Sequence, residues 1–256
     1  MTYKKIFQRS VTVSKKINNL KNNSYSIFDK YYFLHKNVIE LNNYKELQKV
    51  FGWEDDPVLD RPDIYDFDYI EDVNERRIRD AESLAVVMRN VKPKIALEIG
   101  TAGGQGTALM AINAPECIVH TVNIPPEEIV SGKGGKHTTI ALEIDKIGNY
   151  YKEKGIKNIN QIFANTATWT PDIGRIDVAF VDGCHDKQFV VNDTKKILRS
   201  MFQGSFILWH DFNPSLVDKF NWIEDVCLGV ESLYRRNLLT GKIFHIKDSW
   251  IGIYKV

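Results

Sequence analysis

The chain has 256 residues, 34 basic against 33 acidic side chains (net charge +1) and 43% hydrophobic residues. This composition excludes wholesale disorder and a fibrous architecture, and the length suits one large domain or one domain with an appendage. No apolar run approaches the ~18 residues needed to span a bilayer. Three scattered cysteines (Cys117, Cys184, Cys227) make neither a disulfide framework nor a zinc site, so a reducing, cytoplasmic setting is expected.

Charge is uneven along the chain. Before Asp29 there are six basic residues (Lys4, Lys5, Arg9, Lys15, Lys16, Lys21) and no acid; from Trp53 to Asp72 there are nine acids and only Arg61. A basic arm can signal nucleic acid or a membrane surface. No aromatic-interleaved basic patch recurs later, so the arm reads better as solvated chain packing on the acidic stretch or on a second subunit. Residues 1–74 are therefore an N-terminal extension, a cap or a homo-oligomer contact, ahead of a domain at residues 75–256.

Glu75 to Asn90 is expected to be helical, with Ile78, Ala81, Leu84, Ala85 and Met88 recurring at spacings of three and four. After Pro93, Lys94 to Gly100 is a short apolar run ending in glycine, which suits a buried parallel strand. Strands and helices then alternate. Strands are expected at Cys117–Val122, Asn160–Ala164, Ile176–Val181 and Ser205–Trp209. Helices are expected from the glycines at 100–106 to Asn113, then at Thr138–Lys154, Val190–Leu198 and Trp222–Tyr234. Lys242–Ile246 and Trp250–Tyr254 are close enough to pair as a hairpin. The fold class predicted is α/β: a doubly wound, mostly parallel, seven-stranded sheet with an antiparallel C-terminal hairpin. Ligands of such sheets bind outside the carboxyl ends of the strands, where the polar residues of this chain gather.

Glu98-Ile-Gly-Thr-Ala-Gly-Gly-Gln-Gly-Thr107 follows a strand and opens a helix. Gly100, Gly104 and Gly106 do not fit the dinucleotide spacing G-x-G-x-x-G, and no lysine follows them as a phosphate-binding loop requires. Gly132-Lys-Gly-Gly-Lys136 also fails that pattern, because His137 occupies the Ser/Thr position, and it reads as a mobile loop or lid. The pattern that remains, E-x-G-x-x-x-G-x-G-T, resembles motif I of class I S-adenosylmethionine-dependent methyltransferases. The resemblance implies a Rossmann-like fold and a cofactor site built from Glu98, Gly100, Thr101, Gly104 and Gly106. It adds Asn123, where the family usually has an acid for the ribose hydroxyls, and Asn165 with Thr166 beside the adenine.

Val181-Asp-Gly-Cys-His185, Asp193 and Trp209-His-Asp211 resemble the signature D-G-x-H-x-Y-x-x-V-x-x-D … H-D of a subfamily that includes O-methyltransferases of sugars and natural products. Lys187 replaces its tyrosine and Gly204 stands for a glycine pair. The resemblance covers about Glu75 to Val256 and implies methyl transfer from S-adenosylmethionine to a hydroxyl of a small polar acceptor, a sugar or glycoside. His185 is the expected base, its ordinary pKa near 6.5 leaving a neutral imidazole. Asp182 acts with it, and Asp182 and Asp211 are candidate ligands for Mg²⁺, with Asn213 available to complete that site. His210 is expected to orient one of the acids. His120, His137 and His245 are given no role, and Trp169, Trp209 and Trp222 are expected in the core or the pocket wall. Two other readings stay open: a methyltransferase-like binding module without turnover, and a nucleotide-dependent sugar-modifying enzyme.

Overall fold

The computed structural model describes residues 28–59, 71–138 and 142–256. Its strands are β1 (Val38–Leu41), β2 (Ile95–Ile99), β3 (Ile118–Asn123), β4 (Ile159–Phe163), β5 (Val178–Val181), β6 (Phe206–Trp209), β7 (Ile243–Ile246) and β8 (Gly252–Lys255). Around them run α1 (Tyr32–Asn37), α2 (Tyr44–Phe51), α3 (Glu71–Val91), α4 (Gln105–Asn113), α5 (Pro126–Val130), α6 (Asn149–Glu153), α7 (Lys187–Leu198) and α8 (Asn221–Arg235). The strands form one sheet in the order β1-β7-β8-β6-β5-β2-β3-β4. All neighbouring pairs are parallel except that β8 runs antiparallel to both β6 and β7.

The two-residue period of a strand explains the layers. Leu97, Ile99, Ala179, Val181, Ile207 and Trp209 face one way, into a core shared with Val190, Ile197, Ile223, Val226 and Val230 of α7 and α8. Ala96, Val178, Phe180, Phe206 and Leu208 face the other way, against Leu84, Ala85, Met88, Leu109 and Met110 of α3 and α4. Strands buried on both faces read as continuous apolar runs, which is why they stand out in the sequence.

The sheet has eight strands rather than seven. The additional strand, β1, comes from the N-terminal segment and pairs in parallel with β7, Val38 opposite Ile243 through Leu41 opposite Ile246. Only Leu41 of its four residues is buried, so it carries no strand pattern of its own. The segment is held from the other side as well: Glu231 of α8, 2% exposed, accepts the backbone N–H groups of Phe33 (2.9 Å) and Leu34 (3.0 Å). The basic arm before residue 28 and residues 60–70 of the acidic stretch lie outside the described residues.

The helix expected at Thr138–Lys154 is also corrected. Residues 139–141 lie outside the described residues, the chain from 142 to 148 is not helical, and only Asn149–Glu153 forms α6. Gly148, at φ 68°, is in the left-handed region and interrupts any helix running through it. Among the described residues, no helix is long and apolar enough to cross a membrane.

Candidate active site

Because β2, β5 and β6 are parallel neighbours, the loops at their carboxyl ends lie side by side. Asp182 N–H donates to Ile99 O (2.8 Å) and His210 N–H to Val181 O (3.0 Å), so each strand's last bond fixes the next loop. Gly100 turns out of β2 at φ 104°, and a Cβ there would lie 2.0 Å from the Asp182 carbonyl oxygen. Only glycine fits this crossing. Farther along the loop, a Cβ on Gly106 would meet Glu98 Oε1 at 2.6 Å.

Glu98 points to the α3/α4 side of the sheet, and Thr107 and Thr121 both donate to its Oε2. Burial pushes its carboxyl up to about 8. Thr101 is 3% exposed and bonds Thr121 Oγ1 at 2.7 Å. Gly104 turns at φ 90°, where a Cβ would meet the Tyr151 ring at 2.7 Å. Of the residues expected at the cofactor, Gly100, Asn123, Asn165 and Thr166 line a groove together with Ile99, Ala102, Ile124, Asp182 and Gly183. Glu98, Thr101, Gly104 and Gly106 shape the loop from behind and are not on the groove wall.

Asn123, at the end of β3, accepts the Ala102 N–H on Oδ1 (3.0 Å) and gives its amide N–H to the Ile124 carbonyl (2.9 Å). Asn165 accepts the Ala167 N–H (2.9 Å) and donates to Glu128 Oε2 (2.8 Å), tying the loop after β4 to α5. Thr166 donates to Asp193 Oδ2 at 3.1 Å. Burial raises Asp193 to about 6. The aspartate of the signature thus braces the groove loop from α7 instead of facing the groove.

Asp182, His185, His210 and Asp211 come together, with one ligating atom from each lying within 4.8 Å of the others. His210 Nδ1 is 2.9 Å from Asp211 Oδ2 and 3.0 Å from Asp182 Oδ1; His185 Nε2 is 3.1 Å from Asp211 Oδ2 and 3.5 Å from Asp182 Oδ1. Asp211 itself is at φ 52°, a left-handed conformation that aspartate tolerates better than most residues. Burial opposes every charge here, but the opposite charges outweigh it. Asp182 and Asp211 are held below the ordinary carboxylate range, His185 lies above its ordinary value and His210 well above it. The neutral imidazole expected for His185 is therefore displaced toward its charged form by two adjacent carboxylates. The cluster is close to charge-balanced by its own histidines.

One further expectation changes. Asn213 does not reach the cluster: its Oδ1 accepts Ser215 N–H and Oγ–H, and its amide donates to Ser249 O. Phe212, fully buried, packs on Gly252. Trp209 is core, its indole N–H donating to Thr194 Oγ1 (2.9 Å), whereas Trp222 donates to Asp211 Oδ1 (3.1 Å) and so belongs to the site. Behind His210 stands Asp80 of α3, which also accepts the Trp250 N–H (2.6 Å) and Ser249 Oγ–H (2.9 Å) and pairs with Arg76 (3.1 Å). No spacing signal links Asp80 to residues so far along the chain.

The loop after α5 folds onto the groove, which Gly134 and Thr138 help to line. Asp186, at the start of α7, accepts the Lys136 N–H (2.7 Å) and the His137 N–H (2.9 Å). His185 N–H reaches the His137 carbonyl at 3.3 Å. His137, given no role from sequence, is thus packed directly against the signature loop.

Residues 97–212 match a family model described as a methyltransferase domain, a span that runs from β2 through the end of the His210–Asp211 loop. Among solved structures, the O-methyltransferase NovP is similar at TM-score 0.51 and 12% identity, covering 71% of this chain and 79% of that one, which supports the shared fold. An O-methyltransferase from Bacillus cereus in complex with SAH gives TM-score 0.48 at 14% identity, over 70% of this chain and 81% of that one. The SAH-bound methyltransferase PaMTH1 from Podospora anserina gives 0.46 at 14% identity, over 94% of each chain. No curated protein matches the sequence.

Proposed function

We propose that this methyltransferase domain transfers the methyl group of S-adenosylmethionine to a hydroxyl of a small polar acceptor, a sugar or glycoside. The observation that carries the reading is the double membership of Asp182. Its residue lines the groove under the glycine turn, and its carboxylate belongs to the cluster with His185, His210 and Asp211. A methyl donor in the groove and a hydroxyl at the cluster would therefore be neighbours. The likeness to the O-methyltransferase NovP favours oxygen as the accepting atom.

The groove suits the cofactor. Gly100, Asn123, Asn165 and Thr166 line it, and the Asn123 Oδ1, which already accepts the Ala102 N–H, has a second lone pair for a ribose hydroxyl. The methyl group is already activated on a sulfonium, so the protein's work is alignment, worth up to ~7–11 kcal/mol, and removal of the hydroxyl proton, worth about 10²–10⁴-fold. His185 takes that proton, and Asp182 and Asp211 stabilise the imidazolium that results. The same two carboxylates offer the oxygen donors that Mg²⁺ prefers, and a cation there would lower the acceptor hydroxyl's pKa. His210, pressed between Asp182, Asp211 and Asp80, keeps the carboxylates in place.

Calorimetric titration with S-adenosylhomocysteine, with and without Mg²⁺, tests the reading without knowledge of the acceptor. Micromolar binding is expected. No binding at millimolar concentration would overturn it, and affinity unchanged by Mg²⁺ would leave Asp182 and Asp211 as substrate anchors.

A further inference from the structure

His137, Asp186 and Asp225 form a second group of ligating side chains, brought together from three elements: the loop after α5, the start of α7 and the first turns of α8. His137 Nδ1 lies 3.1 Å from Asp186 Oδ1 and 3.4 Å from Asp225 Oδ2. Bonds of 2.0–2.2 Å to a tetrahedral zinc ion place neighbouring donors about 3.3–3.6 Å apart, close to these separations. Yet the His137 ring makes a hydrogen bond with neither acid. Both of its ring nitrogens are buried without any hydrogen-bond partner among the described residues. A buried polar atom left unpaired requires an explanation, and a coordinated ion supplies one.

We infer that His137, Asp186 and Asp225 bind a zinc-class divalent cation that fastens the loop over the groove. A neutral imidazole and two carboxylates bring a charge of −2, which a divalent ion balances, and the imidazole favours zinc over the all-oxygen preference of Mg²⁺. The Asp186 carboxylate is already oriented by two backbone N–H groups, the usual support for a ligating acid. Asp225 is about one-third exposed, leaving a solvent side for a fourth ligand. The loop is also shaped for this seat. Gly135, at φ 85°, lets the backbone approach so closely that a Cβ would lie 2.6 Å from Cys184 Sγ and 2.9 Å from Asp186 Oδ2.

Gly134 and Thr138 flank the His137 attachment and line the groove, so an ion holding His137 also holds that wall. Linkage then makes zinc and groove ligand bind cooperatively, each strengthening the other by the same factor. Cooperativity rests on the proposed cofactor reading; ion binding does not.

The experiment is Zn²⁺ calorimetry on the metal-free full chain, comparing wild type with His137→Ala, Asp225→Asn and Asp182→Asn, followed by S-adenosylhomocysteine titration with and without Zn²⁺. The expected result is one zinc equivalent lost in both His137→Ala and Asp225→Asn but kept in Asp182→Asn. Zinc should also tighten S-adenosylhomocysteine binding about 5- to 10-fold in wild type but not in His137→Ala or Asp225→Asn. Wild-type zinc stoichiometry in His137→Ala and Asp225→Asn would overturn the site. A lost equivalent with no change in S-adenosylhomocysteine affinity would overturn the fastening. If S-adenosylhomocysteine fails to bind at all, the zinc stoichiometry still decides the site, so the two readings fail separately.

Discussion

Asp80 Oδ2 sits 3.3 Å from His210 Nε2, so a carboxylate of α3 holds from behind the ring whose Nδ1 faces Asp182 and Asp211. Asp80 is 8% exposed and is not among the residues lining the groove, and it acts through His210, which makes it a positioning residue. Asp80→Asn keeps an acceptor for Ser249 and Trp250 but weakens the hold on His210. The expected outcome is a kcat reduced about tenfold with the dissociation constant of S-adenosylhomocysteine unchanged, since misplacement by a fraction of an ångström acts on turnover. Steady-state kinetics beside calorimetry would check it; a parallel loss of cofactor affinity would count against the assignment.

His185→Ala should lower turnover by 10²–10⁴-fold and spare cofactor binding. The pH profile is the sharper test. Two carboxylates raise the imidazole above its ordinary 6.5. If the neutral ring is the base, kcat/KM rises with pH through a value above 6.5. Removing a negative neighbour with Asp182→Asn moves that rise to lower pH. A profile with no rise above pH 6.5 would exclude His185 as the base.

Asn123→Asp is expected to tighten S-adenosylmethionine binding. The carboxylate can still accept the Ala102 N–H, and it gives the ribose hydroxyls a charged acceptor in place of an amide. A gain of about 1 kcal/mol corresponds to roughly fivefold in affinity. Equilibrium dialysis would show it; weaker binding would mean that Asn123 is not at the ribose.

Glu98 governs stability rather than chemistry. Its carboxyl, ordinarily near 4.5, is raised by burial to about 8 in the fold. Between these values the folded state binds more protons than the unfolded one, so stability falls as pH rises from about 4.5 to about 8 and is level beyond. Glu98→Gln should flatten this slope, a difference of at most roughly 4–5 kcal/mol at pH 9 relative to pH 4. Chemical denaturation of both proteins across pH would measure it, and parallel curves would show that Glu98 carries no such penalty.

What could be read from the sequence is what repeats or what is spaced locally. β2, β5 and β6 are apolar on both faces, and Gly100, Asp182, His185, His210 and Asp211 stand at their ends, so both strands and site residues were legible. β1 was not, because one buried residue in four makes no pattern. Nor was Asp80: its partner lies across the sheet, and nothing at helical spacing distinguishes it from a solvated acid. His137 looked like a lone histidine because its acidic partners belong to other elements. Glu98 was legible as a motif residue but not as a buried one. Its face of the strand is set by the pleat, which turns it toward α4 and away from the groove.

The strand β1 has a consequence for how this domain can be cut. The sheet is completed by chain from both sides of the matched segment, with β7 and β8 following it and β1 preceding it. A fragment starting near residue 75 would keep every residue of the candidate active site yet leave β7 as a bare edge, its N–H and C=O groups open to another molecule. It would also leave Glu231 buried without the two backbone donors it now receives. Such a fragment would be expected to associate with itself through β7, and expression trials that trim the N-terminal segment would select for aggregates.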